Sequence, residues 1–291
     1  MEQSNHSYFA TRGAAWYAMY LARITFATDG VKSPERDKLK DAAEWYLAAL
    51  LKNGQIYGEY QFAWSNAALV AYTHVARPDS LAERHHSEWA MSDLNSVVKA
   101  FGQPPKCELI DDDVPKRFRS WKRSTSFYLF THAFDDASPI CCGDTGRPIP
   151  LYLLPITQQS RQDLYLWARS YNYHDNIWLG SAALEIAAYK QLADPTSDLS
   201  VTGRDLCADV ERATETSTFY FMHRYWGRNV GEAVRACPVC GRKWHASDSP
   251  TDRQPFHRFH FRCKRCRLVS HCADSYDDER HARIGEFKKA K

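Results

Sequence analysis

Two cysteine pairs near the C-terminus, Cys237-Pro-Val-Cys240 and Cys263-Lys-Arg-Cys266, constrain this chain more than any other feature. A CxxC turn is tight enough to aim both sulfurs at one point. Two such turns a loop apart can close a tetrahedron around one zinc ion. Gly241 follows the first pair and supplies the backbone freedom that turn needs. The second pair departs from this pattern, because Arg267 stands where the glycine would be. His271 and Cys272 follow closely, and His245, His257 and His260 lie in the loop, so the exchange of one ligand stays open. The expected set is Cys237, Cys240, Cys263 and Cys266 around structural Zn2+; the alternative is four reduced thiols without metal. Disulfides fit poorly, because nine cysteines cannot all pair and the N-terminus does not read as a signal peptide.

Charge sharpens this reading. The whole chain carries +3, but residues 235–273 hold nine Lys/Arg against two Asp/Glu, a local +7. A basic module on a mildly acidic body is the footprint of a polyanion partner. Arg242, Lys243, Arg253, Arg258, Arg262, Lys264, Arg265 and Arg267 are the candidate phosphate contacts, with Trp244, Phe256, Phe259 and Phe261 available for stacking. A second stretch, Pro115 to Arg123, interleaves Arg117, Arg119, Lys122 and Arg123 with Phe118 and Trp121. It reads as a single-strand contact or as a solvated loop answering the acidic run Asp111–Asp113. Nucleic acid, DNA or RNA, is the expected partner. An acidic protein docked on the same face is the alternative.

The fold class expected is α+β: a mixed helix and antiparallel-sheet domain over residues 1–230, a basic zinc ribbon over 231–276 and a charged tail over 277–291. Strand and helix signals cluster instead of alternating, which argues against a doubly wound sheet. Strands are expected at 17–26, 55–64, 68–75, 106–110, 126–132 and 149–154. A helix opens at Ser33-Pro34 and stops at Asn53-Gly54; a second opens at the capping box Ser80-Leu-Ala-Glu83, carries His85 and His86 and ends at Gly102. Three more are expected: one from Ser160 through Trp167 with a break at 172–176, one over 177–192, and one after Ser200. No run of about 18 apolar residues occurs, so a cytoplasmic location is expected.

The stretch from Arg169 to Arg224 is dense in polar and aromatic residues, which keeps open an enzyme with the ribbon as a partner clamp. Its candidate base, Glu185, is equally suited to a structural ion pair with Arg204. No GxSxG, Walker A, dinucleotide or HExxH motif is present. Adjacent Cys141 and Cys142 chelate poorly together and read as a turn entering a strand.

Several patterns together carry a resemblance: Tyr173-His-Asp-Asn-Ile-Trp-Leu-Gly180, Asp194-Pro-Thr-Ser-Asp-Leu-Ser200 with Gly203-Arg204, and His223-Arg-Tyr-Trp226 leading into Arg235-Ala-Cys-Pro-Val-Cys-Gly241. Pro139 to Pro155 and Arg77-Pro-Asp-Ser-Leu81 add to it. They resemble the DUF2310 group, a bacterial family of unknown function described as containing a zinc ribbon and binding nucleic acid. The resemblance implies the four cysteines as ribbon ligands and an α+β domain before them. It implies no catalytic residues.

Overall fold

The computed structural model describes residues 19–28, 35–110, 120–134, 136–244 and 257–288. Arg117, Arg119, Arg253 and Phe256 lie outside them, as do Ser33 and Pro34.

In the first unit, alternation decides the strands. Tyr20, Ala22, Ile24 and Phe26 are the buried positions of β1 (Tyr20–Ala27), and the period of two puts them on one face. Helix α1 (Arg36–Lys52) answers with Leu39, Ala43, Tyr46, Leu47 and Leu50 at helical spacing. β2 (Tyr57–Ser65) and β3 (Ala68–Val75) form a hairpin turned by Asn66 at φ 53°. α2 (Glu88–Phe101) and β4 (Lys106–Leu109) complete a βαββαβ chain with sheet order β2-β3-β1-β4, every pairing antiparallel. This is the ferredoxin-like arrangement.

The second unit contains β5 (Phe127–Leu129), β6 (Ile140–Cys142), α3 (Gln158–Gly180), α4 (Glu185–Ala193), α5 (Asp198–Thr214), β7 (Thr218–Phe221), β8 (Phe261–Cys263) and β9 (Leu268–Ser270). Its sheet runs β6-β5-β7-β9-β8, with β5–β7 and β7–β9 parallel. One sheet face and the three helices share a core of Phe127, Leu129, Tyr220, Phe261 and Leu268 with Leu164, Trp167, Tyr189 and Val210. The other face carries a small aromatic cluster, Tyr128, Phe130, Phe219, Phe221 and Phe259. The hairpin β8–β9 bears the second cysteine pair, so the sheet crosses the boundary expected near residue 231.

Several expected elements differ. The helix expected from Ser80 starts after Ser87, whose Oγ accepts from the Ala90 amide. Ser80 instead accepts from the Arg77 amide and meets the Tyr152 hydroxyl at 2.9 Å, so its hydroxyl shapes a turn, and His85 and His86 precede the helix. The break expected at 172–176 is absent, and α3 runs unbroken through it. Its polar residues have tertiary partners: Asn172 accepts from the Thr131 hydroxyl, and buried Asp175 accepts from the Ala133 amide at 2.8 Å. Residues 149–154 form a single 3-10 turn in place of a strand, while Ile140–Cys142, expected as a turn, pairs with β5. Arg204 donates to the carbonyls of Pro195 and Ser200, so the expected pair with Glu185 does not form.

Polar contacts tie α1 and its exit to the segment that precedes α2 within the first unit. The Gln55 amide donates to the Ser80 carbonyl, Asn53 donates to the His85 carbonyl, and Tyr46 meets His86 Nε2 at 2.8 Å. Burial pushes the His86 pKa below its ordinary value, so the fold favours the neutral ring. A base depressed in the folded state gives stability that is fully present above the ordinary histidine value, about 6.5, and lost as pH falls through the folded one. Urea unfolding at about pH 7.5 and 5 should therefore show a loss at acid pH that is smaller in His86→Gln. An equally steep loss in that variant would assign the dependence to other groups.

Candidate metal centre and basic face

Each knuckle is built from backbone hydrogen bonds. Around the first, the Gly241 amide donates to the Cys237 carbonyl (2.9 Å) and the Cys237 amide to the Arg242 carbonyl (2.8 Å). Gly241 takes φ 68°, and a Cβ there would lie 2.6 Å from the Phe287 ring, so the C-terminal segment packs against this turn. In the second, the Cys266 amide donates to Cys263 Sγ at 3.4 Å. Arg267, in the position matching Gly241, also takes a left-handed backbone, φ 51°.

The four sulfurs of Cys237, Cys240, Cys263 and Cys266 all lie within 4.8 Å of one another. Cys240 and Cys263 Sγ are 3.8 Å apart. That is far beyond a disulfide bond of about 2.05 Å. It matches the edge, about 3.8 Å, of a tetrahedron with metal–sulfur bonds of about 2.3 Å. Burial pushes the Cys237 thiol up to about 12. Burial also opposes ionisation of Cys240, but the Arg242 backbone amide and the neighbouring thiols outweigh it and hold that thiol at about 7. Four thiolates this close repel one another, so a cation is what the cluster fits. Cys237, Cys240, Cys263 and Cys266 can hold a metal ion.

The histidines do not join this set. His260 and His271 face each other across the hairpin with Nδ1 atoms 3.0 Å apart, and the Cys272 amide donates to His260. His257 packs beside Gly146, and His245 lies outside the described residues.

The cations divide into two groups. Arg267 is committed: its guanidinium grips both oxygens of Glu211 on α5, at 2.8 Å (Nε–Oε2) and 2.6 Å (NH2–Oε1), and donates to the Lys264 carbonyl. Burial opposes protonation of Arg224, but Glu232 offsets this and its pKa is raised. Arg235, absent from the sequence expectations as a site residue, lies over the rings of Phe261 (4.1 Å) and Trp244 (4.8 Å). By contrast Arg242, Lys243, Arg258, Arg262, Lys264 and Arg265 are exposed. None of these six forms an ion pair among the described residues. Arg262 rests over the Phe219 ring at 5.3 Å. Trp121, Lys122 and Arg123 form a short turn before β5, with Lys122 Nζ 5.8 Å from the Trp121 ring centre. The sheet order puts β7 between that strand and the knuckle hairpin.

Three family models match the chain: DUF2310, a domain of unknown function, over residues 122–223; DUF8594 over 228–276; and DUF8589 over 19–111. An uncharacterized protein of Haemophilus influenzae is 32% identical over 186 residues, covering 60% of this chain and 89% of the relative. A second one from the same organism is 32% identical over 184 residues, covering 60% and 69%. A Streptomyces coelicolor monooxygenase, solved with nanaomycin D, is similar over 35% of this chain and 92% of its own. At 16% identity and a TM-score of 0.27 that likeness carries no argument.

Arg267 offers a direct test of the second knuckle. Arg267→Ala loses the Glu211 grip and keeps the left-handed cost of about 1 kcal/mol, whereas Arg267→Gly loses the grip and sheds that cost. Chemical unfolding should therefore rank both wild type and Arg267→Gly above Arg267→Ala, the first by the worth of the grip and the second by the backbone cost. An alanine variant as stable as the glycine variant would remove the backbone argument.

Proposed function

We propose, for a chain that belongs to the same bacterial family as its Haemophilus influenzae relatives and carries the DUF2310 domain, that the four cysteines hold a structural zinc ion and the basic face around them binds nucleic acid. A thiolate-only, four-sulfur donor set suits zinc, and a closed set of protein ligands leaves no position for substrate. The metal's part is to fold the knuckles; the contacts fall to side chains.

The observation that carries the nucleic-acid reading is the division of cations. Arginines needed for packing are taken by carboxylates or rings, while four other arginines and two lysines stand exposed around the knuckles without an ion-pair partner among the described residues. Cations held on rigid turns neutralise phosphates and release counterions, which gives affinity without sequence choice.

Two measurements test this. Binding to a labelled single strand should weaken steeply between about 50 and 200 mM salt. Replacing Arg262, Lys264 and Arg265 by glutamine should lower the slope of log K against log salt by about 2. A slope unchanged by the triple substitution, or affinity indifferent to salt, counts against the face. Separately, a strong chelator should release one zinc per chain, read by elemental analysis, and expose residues 235–272 to protease. Full protease resistance after metal loss would sink the structural-zinc reading.

A further inference from the structure

A groove of about 560 Å³ lies between the two units, far from the cysteine site in the sequence. Such a volume is within the range of ligand clefts, about 300–1,000 Å³. One wall is a run of five consecutive residues, Ile56 to Tyr60, entering β2; the facing wall is α3. β2 is the edge of its sheet, so its outer backbone groups have no strand neighbour among the described residues. The strand is also distorted there. Tyr57 pairs with His74 and Gln61 with Tyr72, which leaves Gly58, Glu59 and Tyr60 without register partners on β3. Gly58 sits at φ 70°. A bulge of this kind re-aims backbone and side chains, and bulges are enriched beside functional sites.

The charge of the groove is one-sided. Glu44, Glu59 and Asp136 line it against a single cation, Arg169. That arginine is already held on α3 between the hydroxyls of Tyr165 and Tyr173, one helical turn to either side. Glu44 and Tyr165 lie near enough to Tyr60 to act on its hydroxyl together with burial. A carboxylate beside tyrosine rings suits a lysine or arginine side chain, which gains both ion pairing and cation–π attraction.

We propose that this groove takes an extended, cationic peptide segment of a partner protein, which adds to the free edge of β2 and places a basic side chain at Glu44 and Tyr60. Main-chain hydrogen bonds to the edge supply affinity, and the carboxylates select the charge. The site is separate from the basic face, whose positive charge repels such a peptide.

The test uses the full chain and a fluorescent, end-blocked eight-residue peptide of alternating lysine and valine, followed by anisotropy. Binding is expected for this peptide and not for its neutral glutamine–valine counterpart. N-methylation of alternate backbone amides keeps the charge and blocks strand pairing, so it should weaken binding at least about tenfold. The double substitution Glu44→Gln/Glu59→Gln, at two exposed positions, should weaken it by a similar factor while the circular dichroism stays unchanged. Equal binding of the N-methylated peptide would overturn strand addition. Equal binding by the double variant, or no preference for lysine over glutamine, would overturn the groove as the site.

Discussion

Glu232 is buried between two arginines, and the junction of sheet, knuckles and C-terminal segment is organised around its carboxylate. Arg224 grips it with Nε at 3.0 Å and NH2 at 2.7 Å, and Arg235 Nε lies 3.1 Å from Oε1. The Arg228 amide donates to the same carboxylate. Arg224 also reaches the Ala282 carbonyl at 2.6 Å, while Arg235 donates to Ser270 Oγ and the His271 carbonyl. So one anion holds the exit of β7, the approach to Cys237, the end of β9 and the returning C-terminus. Burial pushes the Arg235 guanidinium down to about 10, with Arg224 adding to the push and Glu232 opposing it. Breaking a buried pair of this kind leaves an uncompensated charge, a cost of about 3–5 kcal/mol. Glu286, 3.7 Å from Arg224, sets two acids against the two inner arginines, and Arg228 pairs with Glu286 at the exposed rim. Balance, more than any single contact, is what lets so many charges be buried together.

That balance gives the module's arginines different duties. In a chain segment carrying +7, some cations must be neutralised inside or the turns would repel one another. Arg267 shows how. Its left-handed backbone is costly for a residue with a Cβ, yet its side chain ties the second knuckle to α5 through Glu211, which glycine could not do. The first knuckle keeps glycine because the Phe287 ring occupies the space a side chain would need.

Features whose cause is local were legible in the sequence. The two CxxC turns dictate their own geometry, and the four sulfurs do converge. The first strand, the stop at Gly54 and the turn between the strands expected at 55–64 and 68–75 are also local, and each forms near its expected place. What was not legible depends on partners distant in the chain. Asn172 and Asp175 look like helix breakers until Thr131 and Ala133 are placed beside them. Ser80 reads as a cap until Arg77 and Tyr152 claim its hydroxyl. Arg204 reads as a partner for Glu185 until two carbonyls of its own helix entry take it. The role of Glu232 and Arg235 needed the whole junction, and no spacing in the sequence marks it.

Parallel pairing between β7 and β9 is the step that ties the cysteines to the body of the protein. β8 and β9 are three residues each, too short to hold a hairpin by their own ladder. A structural metal, as we propose for the four cysteines, would contribute on the order of 10 kcal/mol to such a module, far more than the few hydrogen bonds between the strands. With that metal bound the sulfur cluster would fix the hairpin, and the hairpin supplies β7 with its second neighbour. Without it, Tyr220 and Met222 would lose the carbonyls of Arg267 and Val269 as acceptors, and the buried edge of β7 would be left open. The knuckle hairpin thus acts as the closing element of the second sheet.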